Sequence, residues 1–331
     1  MKYDVVISDF DSSFSLRTFF QQEKYRNRAA EWLDWKFGRN PHGLGITVLA
    51  MKNDEIVGFL GFIPRHMNIK GDRITSYQAV DGFITSSERG KGLFGLMVQN
   101  ATDFFRSKQS VFLFGFPDSY LLPMYLRKDW VIVGDIRKYA YPLNFDLLIK
   151  AFRPLHFLRP LGKLANYFHH HFNISGRFLE KATPCPINVF DRAFSVNLNL
   201  FAIRDADYLN WRFVSNPMAT YTNLYFDNGR GDILGFCSLK IIGNVVTIMD
   251  LVISDKYEIC LQQLFEYLLL KNISHICYFC LPDDYNARLL RKIGFWNFQT
   301  SDTLIVFSNL ELGDLFSKSD FVLSLGDSDW P

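Results

Sequence analysis

The 331-residue sequence contains no apolar run approaching the roughly 18 residues that a membrane-spanning helix requires. Its first residues, 1–4, open a short strand pattern and lack the apolar core of a secretory signal peptide. Cysteine is scarce, and the total of five is an odd number that suits a reducing compartment better than a disulfide framework. These absences predict a soluble, cytoplasmic protein.

Neither sign of charge is in excess. Lys and Arg total 36 against 34 Asp and Glu, a formal net charge of +2. A whole-protein attraction for nucleic acid is therefore not expected, although a local basic patch stays open. No metal site is expected either, because the single CxxC pair, Cys277 and Cys280, lies in an apolar run typical of a buried strand.

Aromatic residues, by contrast, are abundant: the sequence has 33 Phe, 15 Tyr and 6 Trp. With 48% hydrophobic residues, the chain has enough apolar side chains to bury a core, which excludes disorder. The length exceeds that of one ordinary domain and predicts two domains of about 100–200 residues each.

An internal repeat divides the chain. Residues 32–41 read WLDWKFGRNP, and the similar run YLNWRFVSNP follows 176 residues later, at 208–217. Three further landmarks recur in the same order: 55–59 with 232–236, 80–85 with 249–254, and 116–120 with 281–285. The shared order predicts a duplicated domain.

Each copy has the same alternation of strand and helix patterns. Apolar, β-branched runs predict strands, and a helical stretch at 96–106 follows the strand at 77–85. Further strands are predicted at 46–51, 56–62, 111–116, 246–254 and 275–281. The expected fold is mixed α/β: two tandem copies, each a central mixed sheet flanked by helices. The predicted limits are 1–140 for the first domain, 141–190 for a connector and 191–331 for the second domain.

The connector has a helical tendency over 147–172, interrupted by prolines and carrying many basic residues. One interpretation is a helix pair with a solvated basic face. The alternative is a surface for an anionic substrate or for peripheral contact with membrane lipid. Three consecutive histidines at 169–171 point in different directions on a helix, so a designed metal site is not expected there.

A glycine-rich loop joins the strand at 77–85 to the helix that follows. Arg89, Gly90, Lys91 and Gly92 form its centre. Glycines let the backbone approach an anion, and free amides at a helix N-terminus point toward it, so this loop suits a pyrophosphate. The loop lacks the ending of a Walker motif and the spacing of a dinucleotide fingerprint.

These residues resemble the GCN5-related N-acetyltransferases (GNAT), whose coenzyme A loop reads [QR]-x-x-G-x-[GA] after a bulged strand. The sequence departs at the last position, where Phe94 precedes Gly95. The resemblance implies acetyl-CoA as cofactor and a backbone amide near the strand end that polarises the thioester. It implies cofactor contacts at Phe83, Ile84, Thr85, Arg89, Gly90, Lys91, Gly92, Leu93, Phe94 and Gly95.

The resemblance also implies catalytic residues. The family's second motif ends Y-x-x-x-G-F, and its tyrosine often protonates the departing thiolate. Tyr125 matches this tyrosine, while Asp129 and Trp130 replace the usual Gly-Phe. Asp81, on the strand that carries the loop, is the candidate general base. Asp250 occupies the same place in the second copy, which favours a structural role for both.

The second copy lacks the glycine loop. Glu258 stands where the first copy has Arg89, and a carboxylate there would repel a pyrophosphate. The second copy is therefore expected to have lost the cofactor and to form part of the acceptor site.

The expected function is transfer of an acyl group, most simply acetyl, from coenzyme A to the amine of a small molecule by direct attack in a ternary complex. The W-[KR]-F-x-x-N-P and P-D-x-Y features resemble relatives often associated with polysaccharide biosynthesis, which suggests an amino sugar or sugar nucleotide. Two alternatives stay open: a non-catalytic binding or scaffold protein, and an aminoacyl-tRNA-dependent peptidoglycan-type transferase. The sequence leaves the oligomeric state, the acyl chain length and N- versus O-acylation undecided.

Overall fold

A computed structural model describes most of the chain outside the predicted connector. The described residues are 3–22, 30–108, 111–146, 161, 183–184, 200–228, 230, 233–253, 257–310, 321–323 and 327. The predictions for the basic helices of the connector and for the three histidines at 169–171 lie outside these residues. So does Cys185.

The N-terminal half, residues 3–146, is a strand-rich unit. Its strands are β1 (Asp4–Asp9), β2 (Ile46–Lys52), β3 (Glu55–Ile69), β4 (Asp72–Ile84), β5 (Phe112–Gly115) and β6 (Val131–Pro142). Its helices are α1 (Phe14–Gln22), α2 (Ala30–Leu33) with a π-helical turn (Asp34–Gly38), α3 (Leu93–Arg106) and α4 (Leu122–Leu126). A short 3-10 turn, Ser86–Glu88, lies between β4 and α3.

The C-terminal half, residues 200–327, repeats this order of strands and helices. Its strands are β8 (Leu200–Ala202), β9 (Thr222–Asp227), β10 (Ile233–Ile242), β11 (Val245–Ile253), β12 (His275–Cys280), β13 (Trp296–Ser308) and β14 (Phe321–Val322). The short β7 (Thr183–Pro184) precedes it. Its helices are α5 (Ala206–Phe213), α6 (Tyr257–Leu269) and α7 (Tyr285–Lys292).

All of these strands join one mixed sheet, in the order β1-β2-β3-β4-β5-β13-β6-β12-β11-β10-β9-β7, with β8 paired to β3 and β14 paired to β8. Neighbours are antiparallel except at β4–β5, β11–β12 and β8–β14. The two halves exchange their closing strands. Strand β5 of the N-terminal half pairs with β13 of the C-terminal half, and β6 of the N-terminal half pairs with β12 of the C-terminal half. The predicted mixed α/β fold with a central sheet flanked by helices is confirmed.

The core lies on both faces of the sheet. One cluster joins α3 and α4 to the N-terminal strands, around Met97, Phe105 and Leu113. A second cluster, on the opposite face, contains residues of both halves, including Trp35 and Trp211. A third cluster packs α6 and α7 on the C-terminal strands. The two halves thus share a core as well as a sheet.

The predicted strands coincide with observed ones, with β3 and β4 running longer than expected because they form one long hairpin. Cys277 and Cys280 lie buried on β12 as free thiols, and burial raises the pKa of each. Within the described part of the chain, none of the helices has both the length and the apolar character needed to cross a bilayer.

Candidate functional site

A gap opens between the parallel strands β4 and β5. The two strands pair only from Tyr77 with Leu113 to Ala79 with Gly115. Beyond that point β5 ends, whereas β4 continues for five residues to Ile84. The last part of β4 therefore has β3 on one side and no paired strand on the side of β5.

A bulge shapes β4 beside this gap. Phe83 pairs with Phe59 and Val80 with Gly61, so two residues, Asp81 and Gly82, oppose one residue of β3. Asp81 has a positive φ of 53°, a left-handed conformation that Asp adopts more readily than most residues. The bulged strand that the sequence resemblance implied is therefore present in β4.

The structure pairs Asp81, the predicted general base, with a lysine. Its carboxylate lies 2.5 Å from Nζ of Lys36, and both side chains are 4% exposed. Lys36 comes from the π-helical turn and also lies over the ring of Trp32, 5.0 Å from its centre. The repeat motif had singled out Lys36, but nothing in the sequence linked it to Asp81, which is 45 residues away.

The glycine loop leads from β4 into α3. Gly90 and Gly92 both have φ of 76°, a left-handed conformation in which a side chain would be strained. A Cβ added at Gly90, Gly92 or Gly95 would meet no atom within 4 Å. The first amides of α3 have no carbonyl within the helix to accept their hydrogen bonds. Open space beside glycines and free amides is a cradle that fits a pyrophosphate.

Phe94, the departure from the family motif, points away from this cradle. It is 6% exposed and packs edge-on against Tyr125, with ring centres 5.7 Å apart. A Cβ on Gly82 would come within 2.6 Å of the Phe94 ring. The glycine in the β4 bulge therefore makes room for the phenylalanine on α3, and the departure leaves the loop open.

Lys91 belongs to a small charged cluster at the start of the loop. Glu88 accepts hydrogen bonds from Lys52 at 2.6 Å, from the Tyr3 hydroxyl at 2.5 Å and from Lys91 at 3.0 Å. These hydrogen bonds, led by that of Lys52, lower the pKa of Glu88 to about 2. The Lys91 side chain is 46% exposed, so it faces solvent from one side while Glu88 holds it from the other.

Arg89 folds back on the strand end instead of extending from the loop. Its Nε donates to the carbonyl of Ile84 at 3.0 Å, and its guanidinium lies 5.3 Å from the ring centre of Phe83. In this position Arg89 fixes the shape of the loop and places a positive charge beside the gap.

Of the three predicted amide positions, Ile84 faces the gap. The amide of Thr85 donates to the carbonyl of Val57 on β3 at 2.9 Å. Hydrogen-bonding direction alternates along an antiparallel strand, so Phe83 also faces β3 and Ile84 faces the opposite way. The Thr85 hydroxyl is buried and has no partner among the described residues.

Tyr125, the predicted acid, lies on α4 and is 5% exposed. Burial, with a smaller contribution from Asp118, raises the pKa of its hydroxyl well above the usual value. Its ring packs edge-on against Trp130, 5.0 Å away. Asp129 has φ of 64°, as Gly294 has φ of 97° in the C-terminal half, so Asp129 takes the conformation that the family motif assigns to glycine.

The C-terminal half presents a different junction. Residues 254–256, between β11 and α6, lie outside the described part, and Glu258 is in the first turn of α6. Leu290, in the place of the tyrosine, is buried. Asp250, the counterpart of Asp81, accepts two hydrogen bonds from Nε of Arg204, each at 2.9 Å.

One cluster has the composition of a metal site: His42, His66 and Asp205. The Nδ1 of His42 accepts a hydrogen bond from the amide of His66 at 2.9 Å, and the Nδ1 of His66 lies 2.7 Å from Arg73. Burial lowers the pKa of His42 to about 4. Both Nδ1 atoms therefore face protein donors, while Nε2 of His42 is buried without a hydrogen-bond partner among the described residues and lies 3.4 Å from the Asp205 carboxylate.

The family model for the acetyltransferase (GNAT) domain matches residues 7–133. No curated protein matches the chain significantly in sequence.

Solved structures match along most of the chain. A probable N-acyltransferase of Enterococcus faecalis V583, a conserved protein of unknown function, has a TM-score of 0.61 at 10% identity, over 92% of this chain and 72% of that one. A GCN5-related N-acetyltransferase from Anabaena variabilis has 0.57 at 11%, over 92% and 72%. N-myristoyltransferase of Saccharomyces cerevisiae, with bound myristoyl-CoA, has 0.55 at 12%, over 92% and 78%.

At identities of 10–12%, the matches to solved structures show a common fold. The family model, by contrast, matches the amino-acid sequence. Its match at residues 7–133 includes the bulge, the glycine loop and Tyr125. The sequence similarity to an acetyltransferase (GNAT) domain therefore covers the part of the chain that holds the candidate site.

Proposed function

We propose that this protein is an acyl-CoA-dependent N-acyltransferase that transfers an acetyl group to the amine of a small molecule, an amino sugar or sugar nucleotide. The observation that supports the proposal best is the open glycine cradle at Gly90, Gly92 and Gly95, next to the gap between β4 and β5. Attack is direct, in a ternary complex of protein, acyl-CoA and amine.

The cradle residues hold the pyrophosphate. The amides at the start of α3 donate to the phosphate oxygens, and the helix dipole favours the negative charge. Lys91 reaches the same region while Glu88 limits its movement. Arg89 acts mainly by fixing the loop against β4.

Bound acyl-CoA supplies a thioester carbonyl, the electrophile of the reaction. The Ile84 amide, directed into the gap, is the residue positioned to donate a hydrogen bond as negative charge develops on that carbonyl oxygen. The pairing of β3 and β4 holds this amide in place, because the amide of Thr85, the next residue, donates to the carbonyl of Val57.

Proton handling involves Tyr125 and Asp81. A thiol has an ordinary pKa of about 8.5, below the raised pKa of Tyr125, so Tyr125 serves as a hydrogen-bond donor to the departing sulfur and keeps its proton. The attacking amine has to be neutral. Asp81 is the candidate base, and its ion pair with Lys36 supports a positioning role as strongly.

The similar N-myristoyltransferase holds myristoyl-CoA, so a longer acyl chain is the first variation to test within this proposal. The retained loop speaks against the aminoacyl-tRNA-dependent alternative, which has no need of a coenzyme A cradle. A non-catalytic binding protein is the remaining alternative, and it also predicts coenzyme A binding.

Calorimetric titration with acetyl-CoA and myristoyl-CoA tests the cradle. Gly92→Asp places a carboxylate in the open space beside α3 and is expected to weaken binding at least about 100-fold. Gly243→Asp is the matched control, since Gly243 also has a left-handed φ, 60°, and open space at its Cβ. Equal affinity in wild type and Gly92→Asp would refute the proposal.

Turnover then separates the enzyme from the binding protein. Release of free thiol is measured with acetyl-CoA and a panel of amino sugars and sugar nucleotides. Tight coenzyme A binding without thiol release on any amine would favour the binding protein.

A further inference from the structure

A cavity of about 200 Å³ lies between the two halves, on the face of the sheet opposite α3. Its wall contains the repeat motif of both halves: Trp32 with Tyr208, Trp35 with Trp211, Lys36 with Arg212, and Asn40 with Asn216. Ile63, Pro64, Arg65, Gln78, Met218 and Lys240 complete the wall. The match to the acetyltransferase (GNAT) domain model, at residues 7–133, does not include the cavity residues that the C-terminal half contributes.

Two tryptophans join the halves at this cavity. Trp35 and Trp211 stack with ring centres 4.8 Å apart and planes inclined by 17°. Each indole N–H donates to the backbone carbonyl of the other, at 2.9 and 2.7 Å. The reciprocal contacts make a rigid aromatic wall, so the cavity has a fixed shape.

Arg65 lines this space and has two donors without a partner among the described residues. Its side chain is 4% exposed, donates from Nη2 to Asp327 at 2.9 Å, and lies 3.2 Å above the ring centre of Tyr208. Its Nε and Nη1 are buried and have no partner among the described residues. Buried donors without acceptors are costly, so the position of Arg65 in the wall depends on its contacts with Asp327 and the Tyr208 ring.

The rest of the wall is positively charged. Lys36, Arg212 and Lys240 line the cavity together with Arg65, and no Asp or Glu is among the lining residues that the structure describes. Burial and then the charge of Arg212 lower the pKa of Lys240. Asp81 pairs with Lys36 and Asp327 with Arg65, but neither carboxylate lines the cavity, so the wall itself favours an anion.

The cavity is small and partly aromatic. At about 30 Å³ per water molecule, 200 Å³ equals roughly seven waters, the size of one ring with a charged substituent. The flat faces of Trp32, Trp35 and Trp211 suit the face of such a ring.

The cavity also reaches the strand that carries the loop. Gln78 on β4 lines it, three residues before Asp81. Lys36 lines it as well and holds Asp81 in the bulge. An amine bound in the cavity therefore lies on the opposite side of the β4 gap from the glycine cradle.

We propose that this cavity binds the acceptor through an anionic group, a phosphate or carboxylate, which Arg65, Arg212 and Lys240 hold while the ring packs on the tryptophans. The acceptor is thus an anionic amine, and the C-terminal half contributes half of its site. This inference rests on the proposed function, because only an acyltransferase requires an acceptor here.

Calorimetry on the full-length protein without coenzyme A tests the cavity apart from the reaction. The probes are glucosamine 6-phosphate, muramic acid and glucosamine, which differ in carrying a phosphate, a carboxylate or no anion. The anionic probes are expected to bind about 10- to 100-fold more tightly than glucosamine. Binding of only one anionic probe identifies that anion and supports the proposal, whereas equal affinities for all three probes would overturn it.

Variants locate the bound probe. Lys240→Gln removes a charge from the wall without touching the buried pair of Arg65 and Asp327, and is expected to weaken the preferred probe about tenfold. Lys271→Gln, at an exposed lysine, is the control. Gly92→Asp should leave the affinity for the probe unchanged. If this variant lost affinity for the probe, the anion would bind in the glycine cradle, and the cavity site would be refuted.

Failure of this inference differs from failure of the proposed function. If acetyl-CoA binds and thiol is released with neutral amines alone, the function holds and the anionic acceptor is wrong. If the anionic probes bind but acetyl-CoA does not, the cavity holds as a ligand site and the acyltransferase is wrong.

Discussion

The two halves of the molecule place similar strands and helices around different junctions. In the N-terminal half, β4 leads through two left-handed glycines into α3, whose first turn has no acidic residue. In the C-terminal half, the first turn of α6 contains Glu258. Acidic side chains at a helix N-terminus satisfy the dipole from within the protein. The first junction therefore suits an anion from outside the protein. At the second junction, Glu258 already supplies a negative charge.

What the halves keep in common is the buried aspartate on the strand before the junction. Asp81 pairs with Lys36 from a helical turn, and Asp250 with Arg204 from the end of β8. A feature present in both halves, whatever the state of the junction, is explained most simply by stability. The comparison thus separates what the fold needs from what the cradle needs.

The largest effect is expected from breaking the buried ion pair of Asp250 and Arg204 in the C-terminal half. Asp250→Asn leaves Arg204, whose side chain is 0% exposed, with one carboxylate fewer. We expect a loss of about 3–5 kcal/mol in the free energy of unfolding, measured with urea. Asp81→Asn is expected to cost less, about 1.5–3 kcal/mol, because Lys36 borders the cavity.

Equal losses for the two variants would show that Lys36 is as enclosed as Arg204. Turnover of folded Asp81→Asn gives a second readout. A fall in kcat that exceeds its loss of stability, with a displaced pH profile, would assign the base to Asp81 and end the parallel with Asp250.

A smaller effect is expected where the halves differ in the bulge. The N-terminal half has Gly82 against Phe94, and Leu251 follows Asp250 in the C-terminal half. Gly82→Ala brings a Cβ within 2.6 Å of the Phe94 ring and should cost about 1–3 kcal/mol. In a Phe94→Ala background the same change should cost much less, because the ring is gone.

Gly115→Ala is the control, since its Cβ would meet Ala79 at 3.4 Å and Ile305 at 4.0 Å, both at ordinary contact distance. Thermal unfolding of the four variants gives the coupling between the two positions. If the stability costs of Gly82→Ala and Phe94→Ala were additive, the Phe94 ring would not pack against the bulge. The ring would then have to lie toward the glycine loop.

The smallest expected effects concern the pH dependence of stability. As pH rises, Glu88 in the N-terminal half should stabilise the fold more and Asp284 in the C-terminal half should stabilise it less. Hydrogen bonds led by that of Lys52 lower the pKa of Glu88 to about 2, so its contribution is present above pH 4.5 and is lost toward pH 2. Burial raises the pKa of Asp284 to about 7, so its contribution is present below pH 4 and is lost as pH rises through 7.

Melting temperatures across pH measure both effects. Glu88→Gln should lower Tm by a few degrees at pH 7 and have little effect near pH 2. Asp284→Asn keeps an acceptor for only one of the two backbone amides, those of Asn286 and Leu323, that donate to the carboxylate oxygens, so it should lower Tm at pH 4. The loss should be smaller at pH 8, where the neutral amide avoids the buried charge. A loss for Asp284→Asn that is as large at pH 8 as at pH 4, or one for Glu88→Gln that is as large at pH 2 as at pH 7, would contradict these assignments.

Sequence reasoning predicted local features well. The strands, the glycine loop and its helix follow from periodicity and turn residues, which act between near neighbours. The motif departures could not be interpreted from the sequence, since Phe94 depends on Gly82 across the core and Asp129 depends on a backbone angle.

Contacts between distant residues were the part that sequence could not supply. The Lys36–Asp81 pair and the unused donors of Arg65 arise from chain segments that only the fold brings together. The repeat marked Trp35 and Trp211 as equivalent, but their mutual stacking follows from the packing of one half on the other.

The exchange of closing strands has a consequence for how this chain is made. On the ribosome, β5 emerges well before β13, the strand that covers its edge. β6 likewise emerges before its partner β12. Unpaired edges recruit other chains, so the nascent N-terminal half needs protection until β12 and β13 have been synthesised. A fragment that stops after β6 retains the glycine loop but lacks the strand that closes its sheet, so the two halves depend on each other during synthesis as well as in the finished protein.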